Sequence, residues 1–131
     1  HQDFEELLER LVGDDFEVAV ETSGAKAFPF EKFPQIWVTF SPKFHATDYL
    51  KDQQNQTFWT NSQEIKVVIS EANDLEVYEQ LLDQAAQRGI PIYLQPEWSK
   101  KLEATPLILQ ILRQKPDWKI SVQLHKYLQL P

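Results

Sequence analysis

Apolar and polar positions along this chain change period several times, and each change marks an element. Phe4, Leu7, Leu8 and Leu11 share one helical face. With Asp3 and Glu6 at capping-box spacing and Gly13 as a stop, they predict an opening helix. Phe16 to Val20 reads as a short buried strand. Gly24 to Pro34 reads as an irregular connection restrained by Pro29 and Pro34, and Gln35 to Phe40 as a second strand. From Phe44 to Gln63 the pattern lapses. Asp52-Gln53-Gln54-Asn55-Gln56 is polar and unperiodic between Tyr49-Leu50 and Phe58-Trp59, so residues 44–63 are expected to form a surface loop or lid with small aromatic anchors.

Periodicity then returns. Glu64 to Ser70 alternates around Ile65, Val67 and Ile69 as a strand. Asn73 and Glu76 offer a second capping box, Leu75, Tyr78, Leu82 and Ala85 keep helical spacing, and Gly89 closes that helix. Pro91 to Leu94 is the next strand. Thr105 and Pro106 mark a helix start ahead of Leu107 to Leu112, and Trp118 to Leu124 is the last strand. There is no sequence repeat beyond this alternation.

Strands separated by helices predict an α/β fold with a mostly parallel sheet, all of whose strands open C-terminally on one face. Several of those ends are polar: Glu21-Thr22-Ser23-Gly24, Ser41-Pro42-Lys43, Gln95-Pro96-Glu97-Trp98, and His125-Lys126 near the end. Ligands of α/β proteins gather on that face, so the set points to a binding site there. Five strands do not close an eight-stranded barrel. They leave at least one edge open, to be covered by more chain upstream or by a partner.

The 131 residues bound the chain to one domain, and 42% hydrophobic content with four Trp makes it a folding sequence. A formal charge of −7, with the basic residues scattered, advertises no nucleic-acid surface. No apolar run is long enough to span a membrane and no signal peptide is visible. The absence of cysteine removes disulfides and thiolate chemistry from this chain, and His1 in place of an initiator Met suggests a processed or truncated chain. The triplet Asn55-Gln56-Thr57 fits a glycosylation sequon with nothing else to suggest secretion.

Each polar strand end has two readings. Glu21-Thr22-Ser23-Gly24 offers a carboxylate and two hydroxyls for an amine, a ribose or a metal, or it is a turn whose hydroxyls satisfy nearby backbone. Pro42 holds Ser41 extended, so that Lys43 either directs an ammonium to the strand-end face or is a solvated lysine. Gln95 can donate to and accept from a purine edge or ribose, or serve the backbone alone. Lys66 inside an apolar strand is expected to be paired or marginal, with a Schiff-base role the less favoured reading. The spacing of His1, His45 and His125 is not that of metal ligands, and no phosphate loop or nucleophile elbow is present.

Taken in order, Val18-Ala19-Val20-Glu21-Thr22-Ser23-Gly24, Val38-Thr39-Phe40-Ser41-Pro42-Lys43, Glu64-Ile65-Lys66-Val67-Val68-Ile69, Leu94-Gln95-Pro96 and Ser121-Val122-Gln123-Leu124-His125-Lys126-Tyr127-Leu128, with Pro131 last, form a series. The series resembles the C-terminal half of radical S-adenosylmethionine (SAM) enzymes of the 7-carboxy-7-deazaguanine synthase family. The resemblance implies that residues 1–131 are the C-terminal part of one partial (β/α) barrel domain and supply its later strands. It implies a carbon–nitrogen lyase of queuosine biosynthesis. In that reaction a 4Fe–4S cluster reduces SAM, hydrogen is taken from 6-carboxy-5,6,7,8-tetrahydropterin, and the ring contracts with loss of ammonia, assisted by magnesium.

The same resemblance assigns Glu21, Thr22, Ser41, Pro42, Lys43, Gln95, Pro96, Glu97 and Trp98 to SAM, and His125 and the Pro131 carboxylate to the pterin. It implies no catalytic or metal-binding residue in this chain. The cysteine motif for the cluster, and the glycine-rich SAM motif, belong upstream of His1, so the chain alone is expected to be inactive. Gln129 stands where the family has a glycine. A cytoplasmic homodimer acting on a small molecule, without nucleic acid or membrane, is the implied setting. Two alternatives remain open: another radical SAM enzyme such as a glycyl-radical activase, against which the His125-to-Pro131 ending argues, and a non-catalytic half-barrel binding a nucleotide or a partner chain.

Overall fold

In the strands Trp37–Phe40 and Glu64–Ile69 the buried residues fall on every second position, and this alternation gives the sheet one buried apolar face and one more polar, partly open face. The computed structural model describes residues 2–43 and 53–130. Along them run α1 (Gln2–Gly13), β1 (Ala19–Thr22), β2 (Trp37–Phe40), α2 (Gln53–Asn61), β3 (Glu64–Ile69), α3 (Asn73–Glu76), α4 (Glu79–Gln87), β4 (Ile92–Pro96), a 3₁₀ turn (Trp98–Lys100), α5 (Lys101–Gln114), β5 (Lys119–Ile120) and α6 (Leu124–Tyr127). The five strands lie in the order β1-β2-β3-β4-β5 and every neighbouring pair is parallel. The α/β class and the parallel sheet expected from the sequence are what the chain adopts.

Val38, Phe40, Ile65, Val67, Ile69, Ile92 and Leu94 form the apolar face, covered by Leu8 of α1, Phe58 and Trp59 of α2, Leu82 and Ala85 of α4 and Ile108 of α5. No helix joins β1 to β2. Its place is taken by a loop that buries Phe28 and Phe33. Phe28 meets Phe30, Phe30 meets Phe58, and Phe58 stacks on Phe40, with centroid distances of 4.9, 5.3 and 5.2 Å. This run of rings continues through Trp59 to Tyr78. Aromatic contacts of this kind add to burial and let an irregular segment serve as a crossover.

Several boundaries differ from expectation. Residues 53–61 of the expected loop are helical, and Phe58 and Trp59 are buried core rather than surface anchors. The expectation failed because α2 is polar except for two adjacent aromatics, and two adjacent residues carry no helical period. Residues 44–52 lie outside the described residues.

The opening helix forms but buries only Leu8 fully. Phe4 and Leu7 stay exposed because β1 is the edge of the sheet and, among the described residues, no layer lies beyond it. Gly13 is the last helical residue and not the stop. Asp15 adopts the left-handed conformation (φ 60°), with Phe16 N–H donating to the Leu11 carbonyl, so Phe16 is exposed rather than in a buried strand.

The second capping box is also replaced. Asp74 accepts from the Ser70 and Glu71 N–H groups, and the predicted helix divides into α3 and α4 at Tyr78. Gly89, at φ 80°, ends α4 as expected. The helix expected at Thr105 begins at Lys101, so Pro106 lies inside α5. Its ring removes the bond to the Leu102 carbonyl, and both residues sit on the solvent side where water can substitute. Only Lys119 and Ile120 of the expected last strand pair with β4. The chain then turns, placing His125 in α6.

Gln129 follows α6 with φ 54°. The Leu130 N–H reaches back to the His125 carbonyl at 2.9 Å, closing a turn of the kind that favours glycine. Gln129→Gly relieves the left-handed strain at some entropic penalty, a net gain of up to about 1 kcal/mol for this turn. Amide exchange at Leu130 should slow accordingly, and faster exchange would contradict the strain argument. No helix among the described residues is long and apolar enough to cross a membrane.

Candidate functional site

The polar face of the sheet is the floor of a cleft of about 460 Å³ at the C-terminal strand ends. Strand alternation selects its floor: in β3, Lys66 and Val68 face the cleft because Ile65, Val67 and Ile69 face the helices. Glu21 enters from β1. Its carboxylate lies 2.6 Å from Lys66 Nζ, reaching past β2 to do so, and the lysine side chain is only 15% exposed against 56% for the glutamate. The pair therefore ties a largely buried lysine side chain to a carboxylate at the cleft's mouth.

Ser41 and Lys43 follow β2. Ser41 is buried, with its N–H donating to the Thr22 carbonyl at 2.7 Å, while Lys43 is exposed at the rim. Gln95 near the end of β4 is buried, and its amide oxygen accepts a long hydrogen bond from Ser121 Oγ at 3.5 Å. Glu97 accepts from the Ser99 hydroxyl and the Lys100 N–H, capping the 3₁₀ turn. Those bonds, with a smaller contribution from Lys126, hold its carboxyl below the ordinary value of 4.5. Trp98, Gln123, His125 and Lys126 close the far side.

Most residues singled out from the sequence thus meet in one place: Glu21, Ser41, Lys43, Gln95, Glu97, Trp98 and His125 all line the cleft. Three others do not. Thr22 accepts the Gly24 N–H through Oγ1 and faces a separate hollow beside Phe4 and Lys26. Pro42 and Pro96 shape backbone without lining the cleft. Pro131 lies outside the described residues. Lys66, Val68 and Ser121 were missed as cleft residues. Alternation in β3 would have exposed Lys66 and Val68, whereas Ser121 needed the true end of β5.

The cleft mixes carboxylates, ammonium groups, an amide and hydroxyls beside an indole ring, and its volume is that of a small-molecule site. Such a set can orient a zwitterionic or heterocyclic ligand by hydrogen bonds and charge pairing. Among the described residues no three His, Cys, Asp or Glu side chains are placed to hold a metal ion.

No protein-family profile matches the chain. The 7-carboxy-7-deazaguanine synthase of Flavobacterium psychrophilum is 33% identical over 125 residues, which is 95% of this chain and 55% of that protein. The synthases of Synechocystis sp. and Escherichia coli are 31% and 30% identical, again over about half their own length. In structure, the chain matches the crystal structure of QueE from Escherichia coli with a TM-score of 0.68 and 28% identity, over 88% of this chain and 48% of that one. The resemblance read from the sequence is thereby borne out, and the partial-barrel arrangement with it. The chain spans about half the length of the curated relatives it matches.

Proposed function

We propose that this chain forms the later-strand half of a 7-carboxy-7-deazaguanine synthase, a radical SAM lyase, and that its cleft holds SAM beside a 6-carboxytetrahydropterin. The observation that carries the reading is the convergence of Ser41, Lys43, Gln95, Glu97 and His125 from separate strand ends in one polar cleft, in a chain whose relatives bear that name.

The residues present fit SAM. Ser41, Lys43, Gln95 and Glu97 would hold it, offering hydroxyl, ammonium, amide and carboxylate groups to a ligand that carries carboxylate, amino, hydroxyl and sulfonium groups. When bound, SAM supplies the hydrogen-abstracting chemistry. The chain's part is to orient the two ligands and exclude water from the reacting atoms. Buried Gln95 and Ser41 suit the first task, because both lie at strand ends where the sheet fixes their backbone before any ligand arrives. His125 and Lys126 face the cleft from α6 and would meet the pterin side.

The cluster does not fit this chain, and among the described residues no three His, Cys, Asp or Glu side chains are grouped to hold magnesium. Iron–sulfur clusters are held by thiolates, and the sequence has no cysteine. Both groups would be held by the half of the protein that this chain does not span.

Lys43 tests the assignment. Lys43→Ala in the intact protein should weaken SAM binding about ten- to a hundredfold, since a charge-assisted hydrogen bond contributes about 1.5–3 kcal/mol. Calorimetric titration checks it. Unchanged affinity with the fold intact would return Lys43 to a solvated rim lysine.

A further inference from the structure

Resemblance assigns Trp98 to the cofactor, but the contacts of its ring tell of another task. Tyr127 meets the indole edge to face, at 5.0 Å between centroids and 86° between planes. Lys101 Nζ lies 4.1 Å from the ring centroid and Lys126 Nζ 5.6 Å. Two of these three neighbours belong to the four-residue helix α6, which is otherwise lightly attached. Leu124, His125 and Tyr127 are exposed, as are Leu128 and Leu130 just beyond, and α6 buries no residue. A helix of four residues does not hold its own shape in water, so its order must come from what it docks on.

We infer that Trp98 is the docking post of α6. By holding Tyr127 and Lys126 it keeps His125 and Lys126 on the rim of the cleft, which makes Trp98 a positioning residue. The 3₁₀ turn that presents the indole is itself fixed, because Glu97 N–H donates to the Ile69 carbonyl at 2.8 Å and the Glu97 carboxylate caps the turn. The post thus stands on the central strands, and the tail leans on it. What the docked helix serves rests on the reading above, in which His125 faces the pterin; the docking itself does not.

The amides of Leu128 and Leu130, bonded to the Leu124 and His125 carbonyls, report the order of this tail. In the intact protein, Trp98→Ala should accelerate their hydrogen exchange roughly tenfold, the sum of one aromatic pair and a cation–π contact. Trp98→Phe, which keeps a ring, should recover most of the protection. Tyr127→Ala, an exposed change that leaves the sheet untouched, should reproduce the loss. KM for the pterin should rise in both alanine variants, while SAM affinity changes less than about twofold.

Unchanged exchange in both alanine variants would overturn the docking. A tenfold loss of SAM affinity with tail protection intact would make Trp98 a cofactor contact instead. Lost protection with an unchanged pterin KM would overturn the positioning role. A wild-type protein that does not turn over the pterin would refute the proposed function, and exchange would still decide the docking.

Discussion

Phe58→Ala should lower the unfolding free energy by about 3–5 kcal/mol, the usual loss for emptying a fully buried aromatic site. Phe58 is 1% exposed, stacks on Phe40 of β2 and takes the edge of Phe30 from the loop that replaces a crossover helix. Its removal opens a void at the junction of three segments, none of which can close it without moving β2. A surface-loop aromatic would behave otherwise, with a change within about 0.5 kcal/mol. Urea unfolding separates the two outcomes. A small shift in midpoint would restore the loop reading of residues 53–61.

That contrast shows where sequence reasoning stopped. Strands β3 and β4 were legible because Ile65, Val67 and Ile69 alternate in one strand and an apolar run bounded by Gly89 and Pro96 marks the other. Their neighbours then fixed a parallel order. Helix α2 was not legible, because its burial rests on Phe58 and Trp59 together and on rings contributed by Phe30, Phe40 and Tyr78 from elsewhere in the chain. Capping failed for a related reason. Asp74 serves the Ser70 and Glu71 amides as the chain leaves β3, a role decided by the strand's exit and invisible in the spacing of Asn73 and Glu76.

The site divides along the same line. Ser41, Lys43, Gln95 and Glu97 could be placed together because each lies at or just after the end of a strand, and parallel strands bring their ends to one face. Thr22 follows the same logic and still misses the cleft, since its position on β1 turns its hydroxyl toward Gly24. Lys66 went the other way. Its neighbours are apolar, and it is the alternation of β3, carried through to one-sided burial, that turns a lysine at that position into the cleft.

The Glu21–Lys66 pair should respond unequally to the loss of either partner. Glu21→Gln leaves Lys66, whose side chain is 15% exposed, without the carboxylate that lies 2.6 Å from its ammonium in the intact protein. Breaking a fully buried pair by removing one partner costs about 3–5 kcal/mol; this pair is open to solvent on the glutamate side, so about 1–2 kcal/mol is expected. Lys66→Met removes the charge and keeps an apolar stem of similar length. It leaves Glu21, 56% exposed, in water, and should change stability by less than about 1 kcal/mol. Urea unfolding of both variants gives the comparison, and equal losses would show that the pair acts as an ordinary surface bridge. Ligand binding in Lys66→Met should part from stability. In Lys66→Met the carboxylate at the cleft's mouth is no longer held from below. If it orients a ligand, SAM or pterin affinity falls in a protein of undiminished stability. Undiminished affinity in Lys66→Met would assign the pair to the fold alone and leave ligand recognition to Ser41, Lys43 and Gln95.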